Sequence, residues 1–231
     1  MAVKSLSSDR CTLVEFALKT AGIPPERIVI FGQSLGTAVS ISLSYHLALQ
    51  SPPTLFAGSV LIAPFANVEL LTQTYSIAGT IPLLSPVVRW PKALDWLNSF
   101  IISKWPSKDK LAELIRRLET LWLSEKGIRY DITIIHAQDD YDIPWSHSHI
   151  LFWHAANATR LPEAILSFEE LEVEKAGRKS DLGDGWREVA WRGDAGVLRE
   201  QIPDHGLHDQ IMIYLVVSLA VARALQSQDR E

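Results

Sequence analysis

Apolar positions along this chain fall into two kinds of run, one at helical spacing and one continuous. Leu6, Leu13, Val14, Ala17, Leu18 and Ala21 share one helical face, with Ser7, Ser8 or Asp9 available as N-cap. Gly22 closes that helix and Pro24-Pro25 prevents its continuation. The run Arg27-Ile28-Val29-Ile30-Phe31 predicts a strand, and a helix through Thr37 to about Gln50 follows it, stopped by Pro52-Pro53. Gly58 to Ala63 predicts a second strand ending at Pro64, and Asp131 to His136 a third. These strands are apolar throughout instead of alternating, which is the pattern of a parallel sheet covered on both faces.

Between the second and third strands the character changes. Tyr75 to Pro106 is broken by prolines and rich in apolar and aromatic residues, and Trp90, Trp96, Trp105 and Trp122 all fall in this middle region. Lys108 to Lys126 predicts an amphipathic helix with Leu111, Leu114, Ile115, Leu118, Leu121 and Trp122 on one stripe. Further helices are expected around Ser146 to Ala156 and from about Asp209 to Leu225. Ala164 to Val173 is expected to supply the fourth strand, and a turn over Ser180 to Gly185 precedes Trp186 to Arg192. The whole reads as an α/β fold in a single domain over 1–231, a mostly parallel sheet with flanking helices and a lid-like helical insertion over 66–128.

Composition narrows the function classes. The net charge is −5 and the basic residues are scattered, which argues against nucleic acid as a partner because phosphate binding needs a basic patch. The single cysteine, Cys11, excludes an internal disulfide and is expected as a small apolar residue on the first helix. No run reaches the ~18 apolar residues of a membrane span. The nearest, Ser76 to Ile102, contains Pro82, Pro86, Arg89, Pro91, Lys92 and Asp95. The first ten residues carry no signal-peptide core, and localisation is not inferred.

The candidate chemistry begins at Gly32-Gln33-Ser34-Leu35-Gly36, a Gly-x-Ser-x-Gly between a strand and a helix. That context makes a nucleophile elbow, which would raise Ser34 Oγ above the end of the sheet. The two glycines are expected to leave room where larger side chains would collide. A serine hydroxyl needs a base, and the base needs a partner that holds its tautomer. Both follow in chain order. His136-Ala137-Gln138-Asp139-Asp140-Tyr141-Asp142-Ile143-Pro144 comes after the third strand, and Asp204-His205-Gly206-Leu207-His208-Asp209 precedes the final helix.

These three motifs resemble the α/β-hydrolases of the group that includes the monoacylglycerol and lysophosphatidylserine lipases, and the resemblance covers nearly the whole chain. It implies a serine hydrolase of carboxylic esters, with Ser34 as nucleophile, Asp140 as the acid, His208 as the base and the Leu35 N–H in the oxyanion hole. Asp139 stands as the alternative acid and His205 as the alternative base. Asp142 is expected to cap the helix that follows, and His136 to be a hydrogen-bonded structural residue. His147, His149 and His154 lie close in sequence, but without further ligands they do not suggest a metal site. No cofactor is implied. The implied partner is a small-molecule or lipid ester, with association at a membrane surface left open, and the tryptophan-rich middle is expected to cover an acyl-binding pocket.

The same resemblance implies something missing. Members of the family place about four strands and a helix before the elbow strand, together with the loop whose N–H completes the oxyanion hole. Some 26 residues precede the strand here. The chain is therefore expected to be the C-terminal portion of such a fold, with an open apolar edge at the elbow strand and impaired turnover. The competing expectation is a non-catalytic remnant that binds a lipid or protein.

Overall fold

The computed structural model describes residues 12–77, 81–82, 105–124 and 129–226. Its centre is a six-stranded sheet whose strands in chain order are β1 (Val29–Gln33), β2 (Gly58–Ile62), β3 (Tyr130–Ile135), β4 (Lys179–Gly183), β5 (Trp186–Arg192) and β6 (Gly196–Pro203). Across the sheet the order is β1-β2-β3-β6-β5-β4. β1, β2, β3 and β6 run parallel, while β5 and β4 add an antiparallel meander beyond β6.

Each face of the sheet is covered. On one side α1 (Leu35–Ala48), α3 (Ser107–Ser124) and α4 (Ser146–Ala158) bury Ile41, Leu111, Ile115, Leu151 and Phe152 against Leu61 and Ile134. On the other, α6 (Leu215–Gln226) lays Val217 and Ala220 over Val60, Ile62 and Ile135. Leu61 and its neighbours Val60 and Ile62 thus serve opposite layers, which is why this stretch of β2 is apolar without alternation. Two short helices complete the described elements at this scale, α2 (Val68–Thr74) and α5 (Phe168–Ala176).

The predicted helices over 37–50, 108–126 and 146–156 are present as α1, α3 and α4. Of the segment expected to be lid-like, 66–128, α3 packs into the main core beside α1 and α4. The rest of that segment falls largely outside the described residues, as do Leu6, Cys11, Trp90 and Trp96. Before β1 the chain forms a π-helical turn, Phe16–Thr20. Val14 is buried there but Leu13 is 71% exposed, so the predicted apolar face is only partly used.

Two expectations are corrected. Ala164 to Val173 is not a strand: Ser167 and Glu170 form a reciprocal capping box that starts α5. The fourth parallel strand is β6, whose Arg199, Glu200 and Gln201 disguise it as a polar segment. Each finds a partner in the fold. Arg199 pairs with Asp131, Glu200 with Lys175 at 2.6 Å, and Gln201 with Glu188 at 2.6 Å. The final helix is also not continuous. A turn over Leu207–Gln210 and a 3-10 turn over Ile211–Ile213 meet α6 at 55°, because Tyr214 takes an extended ψ of 143°. The break lets His208 face the sheet end while α6 lies along the sheet face. Among the described residues no single helix is long and apolar enough to cross a membrane.

Candidate active site

The site is assembled at the carboxyl ends of the parallel strands, the usual place for reactive groups in open α/β sheets. The strand ends are level: Gln33 pairs with Ile62, Ile62 with Ile135, and Ile135 with Gln201. The ladder continues one step into the loops. The Ser34 N–H donates to Ile62 O at 2.9 Å, Ala63 N–H to Ile135 O at 2.8 Å and His136 N–H to Gln201 O at 3.1 Å. The roots of the serine, acid and intervening loops are therefore fixed by the sheet.

Ser34 sits between β1 and α1 with φ 51° and ψ −122°. This is a backbone conformation that side chains other than glycine adopt only when the surroundings impose it, at a cost of about 1–3 kcal/mol. Here the Ser34 N–H is bonded to β2, and its carbonyl accepts from both the N–H and the hydroxyl of Thr37. A Cβ at Gly32 would lie 2.7 Å from Gly36 O and 2.5 Å from Ser40 Oγ, so the first glycine is sterically required. The second is not. A Cβ at Gly36 would meet nothing within 4 Å among the described residues, which corrects the expectation that both glycines relieve crowding. Leu35 opens α1, so its N–H has no intrahelical partner.

The acid loop follows β3. Asp140 has a fully buried side chain, and four donors converge on it. Oδ1 accepts the N–H groups of Asp142 (3.0 Å) and Ile143 (2.9 Å). Oδ2 lies 2.8 Å from His208 Nδ1 and 3.1 Å from His136 Nε2. Burial opposes ionisation of Asp140, but the hydrogen bonds from His136, His208 and the Ile143 N–H outweigh it and hold the carboxyl well below the usual carboxylate range. The N-cap position of α4 is Trp145, and not Asp142 as expected.

His208 lies on the loop after β6, in the turn Leu207–Gln210. The bond to Asp140 raises its pKa above the ordinary histidine value, against the effect of burial. Because Nδ1 faces a carboxylate, Nδ1 carries the hydrogen and Nε2 is left as the basic atom. Asp139 and His205 take other roles. Asp139 Oδ1 accepts the Leu207 N–H at 2.8 Å, at a residue with φ 48°, and its Oδ2 lies 3.4 Å from Nδ1 of the exposed His205. Gln33, the residue before Ser34, donates from Nε2 to the His208 carbonyl at 2.9 Å. The histidine loop is thus tied to the acid loop through both aspartates and to the serine turn through Gln33. Ser34 Oγ itself makes no hydrogen bond to a described residue.

The roles of Gln33 and Asp139 carried no signal in the sequence, since their partners lie 175 and 68 positions away. The three histidines of the α4 region point to three separate places. His147 accepts the Ala66 N–H on Nδ1 and faces Thr74 Oγ1 at 2.8 Å, and burial, with nearby His136, pushes its pKa down to about 4. His149 lies 2.9 Å from Glu200, and His154 3.5 Å from Lys108 Nζ.

Apolar side chains border the acid loop. Phe65, Ile143 and Ala38 are buried there, with Val68, Leu71, Tyr75 and Trp105 packed against them. A groove of about 310 Å³ opens at His208, between Tyr141, Asp142 and Leu207. A larger cavity, about 430 Å³, lies at the opposite end of β3 and β6. Its Arg199 is matched by Asp131 and its Arg223 by Glu188, and it is remote from the serine turn. No family model matches the chain, and no curated protein matches it significantly.

Proposed function

We propose that this protein is a serine hydrolase of carboxylic esters, built on the C-terminal portion of an α/β-hydrolase fold. The observation that carries the reading is the placement of a strained serine turn and a hydrogen-bonded Asp140–His208 pair at the carboxyl ends of one parallel sheet, with β2 between them and Gln33 as the tie. Ser34 Oγ attacks the ester carbonyl while His208 Nε2 takes its proton. The tetrahedral oxyanion draws on the Leu35 N–H at the start of α1. His208 then returns the proton to the leaving alcohol, an acyl-enzyme remains on Ser34, and water releases the acid by the same steps in reverse. Asp140 keeps the imidazole in the required tautomer and stabilises its cation. The Ser34 Oγ–His208 Nε2 hydrogen bond that this step needs would form with substrate in place.

The part-buried Val68, Leu71 and Tyr75, packed on Phe65 and Ile143 beside the acid loop, support a substrate with an acyl chain, of acylglycerol or lysophospholipid type. A second reading, a hydrolase-like chain that binds a lipid or protein without turnover, draws on the outer strand β1. It is paired only on its β2 side among the described residues, and Phe31 is 43% exposed there. A fluorophosphonate probe on the purified chain separates the two. Labelling that disappears in Ser34→Ala supports the hydrolase; a folded wild-type chain that takes no label sinks it.

A further inference from the structure

His136 stands where a parallel strand delivers its last side chain into the site, and it is wholly buried. Its ring is committed on both edges. Nδ1 lies 2.6 Å from Ser148 Oγ on α4, while Nε2 lies 2.9 Å from the Ile143 carbonyl and 3.1 Å from Asp140 Oδ2. Two acceptors at Nε2 require the ring hydrogen there, so Nδ1 accepts from the Ser148 hydroxyl. The result is a chain of contacts running Ser148, His136, Asp140, His208, with the two imidazoles meeting on one carboxylate oxygen. A buried imidazole that only filled space would not need an acceptor pair on one edge and a hydroxyl on the other.

We infer that His136, anchored by Ser148, is a positioning residue that shares Asp140 Oδ2 with His208, so that it orients the carboxylate and limits how strongly Asp140 binds the His208 ring hydrogen. The catalytic role of His208 in this inference rests on the hydrolase reading; the sharing of the carboxylate does not. Oδ1 is already occupied by two backbone N–H groups, so rotation of the carboxyl about its bond would break both. Oδ2 is left to the two rings. A donor removed from one side concentrates the remaining negative charge on the other, because hydrogen bonds to a carboxylate compete for the same lone pairs. Among the described residues, Tyr75 lies close enough to Asp140, Asp142 and Asp209 to feel their charges. Asp142 and Asp209 face His208 from the acid loop and from its own turn, and His147 on α4 lies near His136 and Asp140.

Three variants of the full chain test this: His136→Phe, which keeps a ring and removes both edges, His136→Gln, which restores a donor toward Asp140, and Ser148→Ala, which removes only the anchor. The primary readout is the NMR titration of the His208 ring, assigned by its absence in His208→Gln, which needs no turnover. The second is the rate of fluorophosphonate labelling against pH. The expected result is a His208 titration moved upward by about 0.5 pH or more in His136→Phe. The acid limb of labelling should move with it, Ser148→Ala should move both by less in the same direction, and His136→Gln should return both toward wild type. A folded His136→Phe or Ser148→Ala variant whose His208 titration stays put or moves downward overturns the inference, even if labelling falls. If His136→Phe fails to fold, Ser148→Ala still decides the question, because it alone must then move the His208 titration upward. A wild-type chain that takes no label would remove the hydrolase reading while leaving the NMR result to judge the shared carboxylate by itself.

Discussion

Asp139 and Asp140 are neighbours of the same chemical type, yet the fold gives them separate tasks. Asp140 accepts an imidazole hydrogen in a buried site, and Asp139 accepts a backbone N–H at the edge of it. An amide can replace the second task but not the first, because its NH₂ cannot fix the imidazole tautomer. Asp140→Asn is therefore expected to slow fluorophosphonate labelling by about 10³–10⁴-fold. Asp139→Asn, which retains an acceptor for the Leu207 N–H, should slow it by less than about tenfold. Equal losses in the two variants would show that the acid has been assigned to the wrong residue. The pH dependence has a definite sign as well. His208 must be neutral to act as base, and Asp140 raises its pKa. Labelling should rise with pH through a midpoint above 6.5, the ordinary histidine value. A midpoint at or below 6.5 would contradict the paired arrangement.

At the scale of elements, the strand–turn–helix around Ser34 was readable because its signals are local: a β-branched run, a glycine with a steric duty and a helix of small residues. The same holds for α3, whose stripe of Leu111, Leu114, Ile115 and Leu118 meets the core as its periodicity predicts. Reading failed where long-range contacts override local chemistry. β6 hides behind Arg199, Glu200 and Gln201, which are accommodated in the sheet only because Asp131, Lys175 and Glu188 come to them from other elements. The misassigned Ala164–Val173 held its own correction in Ser167 and Glu170, the capping box of a helix start. The bend at Tyr214 and the tethers on His208 belong to the assembled site and leave no mark on any single segment. The elbow glycines offer a test of what local reading can claim. Gly32→Ala must displace the Gly36 carbonyl and should cost at least about 2 kcal/mol in a urea unfolding experiment. Gly36→Ala enters open space on a helix and should raise stability by about 0.5 kcal/mol. Matching losses at both positions would show that the turn is tighter than the structure has it.

Over the whole molecule, two buried groups near the acid loop contribute to the response to acid, in separate windows. His147 is held neutral, with a pKa near 4 against 6.5 for an ordinary histidine. The unfolded chain takes up that proton first, so the contribution is complete above pH 6.5 and is lost as pH falls toward 4. The loss is on the order of 2–3 kcal/mol. Asp140 acts lower. Its carboxyl is held below the ordinary 3.8, so its contribution is present above that value and disappears as pH falls beyond it. The urea midpoint of the wild type should therefore drop between pH 7 and pH 4.5 by more than that of His147→Gln, which keeps a donor and an acceptor without titrating in this range. Parallel pH curves for the two proteins would remove His147 as the cause.

The tethers on the histidine loop have a mechanical consequence. Gln33 ties that loop to the serine turn, the two aspartates tie it to the acid loop, and the sheet ladder ties the acid loop back to the serine turn through β2. The three segments form a closed circuit, so none of them can be displaced without loading the other two. A loop exchanged singly from another protein would strain the remaining pair even if its own reactive residue were retained. The smallest piece that can be transplanted with its geometry intact is the circuit: three loops together with the strand ends that root them.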